Sequence, residues 1–326
     1  MHAVEATGLE REFKGGIRAV DGVDLIVERG EVYGFLGPNG AGKSTMVRML
    51  ATLLRPTGGR ALVAGHDVVS EAAAVRRSIG VALQDAAIDP YMTGRELLHL
   101  QAVLHGFHRA VGHARAVELL ERVDLSAAAD RRVGTYSGGM RRRLDLALAL
   151  VHEPEVLFLD EPTTGLDPIS RLTLWEEVRR LNGEGTTVFL TTQYLEEADQ
   201  LAGRVGIIDG GRIVAEGTPS ELKAQVGDPT LNITLAHPED HDAAARALRP
   251  LGESLPARSG SLALRLPEGA AALPAVVRAL DEAGVVVAGL DLALPTLDDV
   301  FVAKTGRRLE AESADEQAGA PAPSPA

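Results

Sequence analysis

The chain has 326 residues, 45% hydrophobic and 24% charged, with no cysteine and a formal net charge of −13. That length suits two domains, or one large domain with an appendage, and can bury a sizeable core. The composition excludes disulfides, thiolate metal sites and a cysteine nucleophile, and the acidic balance argues against a nucleic-acid partner. The basic clusters, such as Arg141–Arg143, are short and read as solvated helix ends.

In chain order, the apolar pattern first alternates over 23–27, a half-buried strand, and then runs unbroken over 31–36, a strand buried on both faces that enters a Gly-rich turn. Met46, Met49, Leu50 and Leu53 share a helical spacing over 45–54, which Arg55-Pro56 ends. A short strand follows at 79–83, and from 93 to 150 the spacing is helical. A very apolar strand at 156–159 leads to a helix at 172–181, a strand at 187–191, a helix at 196–202 and a strand at 205–209. This alternation predicts an α/β fold, a parallel sheet covered by helices, with a helical insertion at about 88–150, all within a first domain of 1–227. Composition shifts at 226–229. Strands at 231–235, 261–266 and 285–294 and helices at 242–248 and 273–283 predict a small α+β domain over 228–308. The Ala/Pro/Ser/Glu-rich stretch 309–326 reads as a disordered tail. No apolar run reaches the length of a membrane span, and Met1–Glu5 lacks the features of a secretory signal. The chain is therefore expected on the cytoplasmic side of a membrane, touching it only through a partner.

Three segments carry chemistry. Gly37-Pro38-Asn39-Gly40-Ala41-Gly42-Lys43-Ser44-Thr45 follows a strand and opens a helix, the context a P-loop requires. Its glycines let backbone N–H groups crowd around phosphate oxygens, and the helix N-terminus adds partial positive charge. Lys43 is placed to reach the β- and γ-phosphates of ATP and the Ser44 hydroxyl to ligate Mg²⁺. Asp160 and Glu161 stand at the carboxyl end of the 156–159 strand, where ligands bind in open α/β sheets. Asp160 fits the Mg²⁺-holding role, and Glu161 fits the general base that acts on the attacking water. The bland alternative is a strand that simply ends in polar residues. Ser137-Gly138-Gly139, before a helix, forms a second phosphate-seeking loop with Ser137 as N-cap. One nucleotide has no use for two such loops in one fold, which hints that the second serves a nucleotide held by another copy.

In this order the three segments resemble the nucleotide-binding subunit of ABC transporters, over roughly residues 3–225. The resemblance implies a P-loop NTPase fold, a RecA-like parallel core with an N-terminal antiparallel β subdomain and a helical insertion. It implies a head-to-tail homodimer with ATP between the P-loop of one copy and the Ser137 loop of the other. It assigns Gln84 to contact with Mg²⁺ or the attacking water and Asp167 to communication across the dimer. Phe13 becomes the aromatic that stacks on adenine; its alternative is a core aromatic. The switch position, usually His in this family, is Gln193, which can donate a hydrogen bond to the γ-phosphate but cannot carry charge. The signature loop begins with Tyr136 and ends in Met140, departing from the usual Leu and Gln.

Gln193, with Pro295–Phe301 and Thr305-Gly306-Arg307, looks like the daunorubicin-resistance type of ATP-binding protein. That type implies an ATP-hydrolysing subunit energising efflux of hydrophobic drugs or secondary metabolites through a separate integral membrane permease. Asp85, Ile88 and the helical insertion are expected to dock on that subunit. Two alternatives are a soluble, non-transport ABC ATPase acting on nucleic acid or ribosomes and a regulatory nucleotide-binding module with little turnover. The intact Lys43, Ser44, Asp160 and Glu161 argue against the second.

Overall fold

A computed structural model describes residues 2–84, 88–255 and 261–307. The expected docking residue Asp85 and the expected tail at 309–326 lie outside the described residues. The chain divides into two compact units, one running to Pro219 and resuming at Lys304, the other Ser220–Ala303.

The first unit begins with strands β1 (Val4–Phe13), β2 (Ile17–Val27) and β3 (Val32–Leu36), followed by helix α1 (Lys43–Leu50). Then come β4 (Gly58–Val63), β5 (His66–Asp67), α2 (Ala72–Ser78) and β6 (Ile79–Ala82). The insertion supplies α3 (Gly94–Leu104), α4 (Arg109–Arg122) and α5 (Gly138–Ala149). The core resumes with β7 (Val156–Asp160), α6 (Pro168–Gly183), β8 (Thr187–Thr192), α7 (Leu195–Leu201), β9 (Arg204–Asp209) and β10 (Arg212–Gly217), and α8 (Pro219–Ala224) marks the boundary. Helix α1 stops earlier than the apolar spacing suggested, because Thr52 turns into the left-handed region at φ 63°. Helix α3 starts where Thr93 and Glu96 form a reciprocal capping box.

The central sheet runs β10-β9-β3-β8-β7-β6, parallel except for β10. A second, antiparallel sheet runs β2-β1-β4-β5. Every residue of β3, β7 and β8 is buried, which explains their unbroken apolar runs. Side chains alternate between two cores. Leu157, Leu159, Val188 and Leu190 join the core under the helical insertion, whereas Val156, Phe158 and Phe189 join the core shared with β1, β2 and α1. In the latter, the Phe189 ring lies 5.6 Å from each of Tyr33, Phe35 and Phe158. These two cores fix the ends of β3, β7 and β8 in one row.

The second unit has strands β11 (Thr230–Leu235), β12 (Glu253–Leu255), β13 (Ser261–Arg265) and β14 (Val287–Ala293), with helices α9 (His241–Leu248) and α10 (Leu273–Glu282). Its antiparallel order β12-β13-β11-β14 makes a split βαβ arrangement. Strand β12 escaped the sequence reading, being three residues long with two of them exposed. Helix α11 (Leu297–Thr305) follows, with Leu297, Val300 and Phe301 buried and Thr296 exchanging hydrogen bonds with Asp299 at its start.

Glu197 on α7 is fully buried and accepts a 3.1 Å bond from the Trp175 indole of α6. Burial pushes its carboxyl above the usual range. A raised folded value means that its contribution to stability is complete below the unfolded value, about pH 4.3, and is lost as pH rises through the folded one. Glu197→Gln should therefore match the native melting temperature near pH 4 and exceed it by a few degrees at pH 8. Parallel melting curves across the range would contradict this assignment.

Candidate functional site

The loop 37–42 joins β3 to α1 and needs its glycines. A Cβ on Gly37 would sit 2.4 Å from the Ile208 carbonyl oxygen, and one on Gly42, at φ 109°, 2.2 Å from that of Ala19. Gly40 also has positive φ. Lys43, the first residue of α1, is buried and donates through Nζ to the Gly37 and Pro38 carbonyls at 2.6 and 2.9 Å. The same ammonium lies 3.2 Å from the Glu161 carboxylate.

Strand β8 runs between β3 and β7, so the P-loop and the carboxylates face each other at the carboxyl edge of the sheet. Asp160 ends β7 and is completely buried. Its Oδ1 accepts hydrogen bonds from Thr191 Oγ1 at 2.5 Å and Ser44 Oγ at 3.2 Å. Its Oδ2 is buried with no hydrogen-bond partner. No cluster of three or more His, Asp or Glu with metal-binding geometry exists among the described residues. Magnesium does not need one, since it binds through one or two protein oxygens plus phosphate oxygens and water. Ser44 Oγ and the orphaned Asp160 Oδ2 fit that requirement.

Glu161 adopts φ +47°, rare for a residue with a side chain. Its N–H points to both Oγ1 and the carbonyl of Thr191, each at 3.1 Å. Gln84 Nε2 and Thr164 Oγ1 approach its Oε2 at the limiting distance of 3.5 Å. Thr191 and Thr164 are site residues that sequence reasoning missed. Thr191 is revealed only by its pairing with Asp160 across β7 and β8.

Ser137 caps α5 as expected, accepting from Met140 N at 3.2 Å. A cavity of about 350 Å³ is lined by Gly138, Gln84, Glu161 and Thr164, so the signature helix borders the carboxylate end of the site. Asp167 caps α6, accepting from Ser170 N at 3.0 Å and Ser170 Oγ at 2.6 Å. Gln193 is half-buried in the turn directly after β8. Phe13 ends β1 at 38% exposure with the Arg11 guanidinium 4.7 Å from its ring centre. It is not a core aromatic.

The reading of Arg141–Arg143 as a solvated cluster fails at its middle member. Arg142 is only 11% exposed and pairs with Asp145 at 3.3 Å. Burial drives Asp145 up to about 6 and Arg142 pulls the other way. The run of three arginines concealed this because α5 turns Arg142 inward across to β7 and lays Arg143, 18% exposed, against the Val123 carbonyl, leaving only Arg141 exposed.

Residues 20–164 match the ABC transporter family, and residues 217–305 match the C-terminal domain of DrrA1-3-like ATP-binding proteins. The chain is 52% identical over 304 residues to daunorubicin resistance ATP-binding protein DrrA3 of Streptomyces coeruleorubidus, covering 93% of this chain and 96% of that one. It is 49% identical to daunorubicin/doxorubicin resistance ATP-binding protein DrrA of Streptomyces peucetius, covering 97% and 96%. Among solved structures, a dimeric ATP-binding cassette in a post-hydrolysis state, bound to ADP and Pi, superposes with a TM-score of 0.62 at 26% identity, covering 66% of this chain and 98% of that one.

Proposed function

The chain belongs to the ABC transporter family, as an ATP-binding protein of the daunorubicin-resistance type, and from that premise we propose that two copies close over two Mg-ATP and drive efflux of hydrophobic drugs or secondary metabolites through a separate membrane subunit. The observation that carries the reading is the buried meeting of Lys43, Ser44, Asp160 and Glu161 at one sheet edge. The 37–42 amides and Lys43 hold the triphosphate. Ser44, Asp160 and Gln84 would hold magnesium, which would neutralise phosphate charge. Glu161 takes a proton from water as the water oxygen attacks the γ-phosphorus, and the bond to the ADP oxygen breaks, leaving ADP and phosphate. Gln193 donates to the γ-phosphate without adding charge. The Ser137-Gly138-Gly139 loop of one copy completes the site of the other, with Asp167 at the dimer contact and Phe13 stacked on adenine. The chain works as a peripheral subunit on the cytoplasmic face. None of its helices is long and apolar enough to cross a membrane among the described residues.

A groove of about 410 Å³ lies between Leu53, Arg76 and Leu83 of the core and Gln101, His105 and His152 of the insertion. It adjoins Gln84, and we assign it to a cytoplasmic helix of the membrane subunit. Ile88 is partly buried against the core beneath the insertion, and its remaining exposed surface stays in the proposed docking contact.

Glu161→Gln should retain Mg-ATP binding, accumulate ATP-bound dimers in gel filtration and lower phosphate release by about two orders of magnitude or more. Native turnover in that variant would remove Glu161 as the base. Because the chain has no cysteine, Leu53→Cys gives a single cross-linking site in the groove. It should capture the membrane subunit, and capture from Ile169→Cys alone would place docking elsewhere.

A further inference from the structure

Arg142 lies five residues past Ser137 on the same helix, and its guanidinium gathers three backbone carbonyls from outside that helix. Nη1 donates to Leu83 O, Nη2 to Asp160 O at 2.7 Å and Nε to Pro162 O at 2.9 Å. Leu83 immediately precedes Gln84, and Asp160 and Pro162 flank Glu161. Asp145, one turn further along α5, faces the guanidinium at 3.3 Å and sets its direction.

The three acceptors matter because Glu161 occupies an unfavourable backbone conformation. A side-chain-bearing residue at positive φ is strained and persists only where neighbours over-determine it. Thr191 holds the Glu161 N–H, and Arg142 holds the carbonyls on either side of that residue. A planar fork with five donors suits this task. Arg142 touches neither the P-loop nor the Lys43 ammonium in any bond described above.

We infer that Arg142 is a positioning residue for hydrolysis: rooted on the signature helix, it sets the Glu161 carboxylate and the Gln84 segment in register with the Ser137 loop. A shift of α5 is thus transmitted to the backbone on either side of the general base through two hydrogen bonds, and to the residue before Gln84 through a third. The inference rests on the functional reading above, in which Glu161 activates water.

The test compares the full-length native chain with Arg142→Lys and Asp145→Asn. The readouts are steady-state phosphate release, the Kd for Mg-ATP by titration calorimetry, and melting temperature. Lysine keeps the charge but not the three-way grip. Arg142→Lys should lower kcat by roughly tenfold to a hundredfold, the scale of a catalytic group displaced by about an ångström, with Kd within about twofold of native. Asp145→Asn should lower kcat in the same direction and by less, again at unchanged Kd. If Arg142→Lys does not fold, Asp145→Asn decides alone. Native kcat in the deciding variant, or a parallel loss of kcat, affinity and melting temperature, overturns the inference. Failure of the native chain itself to bind or turn over Mg-ATP would instead overturn the functional reading.

Discussion

Lys43 and Glu161 stand 3.2 Å apart with 3% and 5% of their side chains exposed. Burying either group as an unpaired ion would carry a desolvation penalty of several kcal/mol. Here each faces the other, and the Gly37 and Pro38 carbonyls take up further ammonium hydrogens. The pair therefore constrains the rest of the first unit. The P-loop must end β3, the carboxylates must end β7, and β8 must lie between them to bring Thr191 to Asp160. The phenylalanine cluster and the apolar runs that flank it hold those three strand ends in one row.

The same arrangement explains which side chains can be polar inside. Two hydroxyls share one oxygen of the buried Asp160, and its other oxygen has no hydrogen-bond partner, as the proposed magnesium role requires. Glu161 sits at a strained backbone angle that aims its carboxylate across the sheet edge at Lys43. Without an imidazole at position 193, no cationic side chain follows β8 at that turn. In the proposed mechanism, stabilisation of developing phosphate charge then falls more heavily on Lys43 and the loop amides.

Much of this was legible in the sequence because burial on both faces leaves an unmistakable record. Residues 31–36, 156–159 and 187–191 read as strands from their largely apolar runs, and the structure has them at Val32–Leu36, Val156–Asp160 and Thr187–Thr192. The P-loop and the Asp160-Glu161 pair announce themselves because phosphate and magnesium admit few alternatives. The legible part stops where a residue's role depends on what lies opposite. Thr191 looks like any β-branched strand residue until β7 is laid beside β8. Arg142 sits between two other arginines, and only the helix rotation tells that it, and not its neighbours, reaches β7. Strands β10 and β12 are short or half-exposed, so their patterns carry little burial signal. Helix α1 shows the opposite error: its apolar spacing continues past Leu50, but the backbone turns at Thr52.

The account depends most on triphosphate oxygens lying against the amides of 37–42, neutralised by the ammonium of Lys43. Titration calorimetry of the folded full-length chain with ATP in magnesium tests this directly, alongside Lys43→Ala. The account predicts saturable uptake by the native chain and none detectable in the variant at the same concentrations. Equal binding by both, or no binding by a native chain shown to be folded, would contradict it.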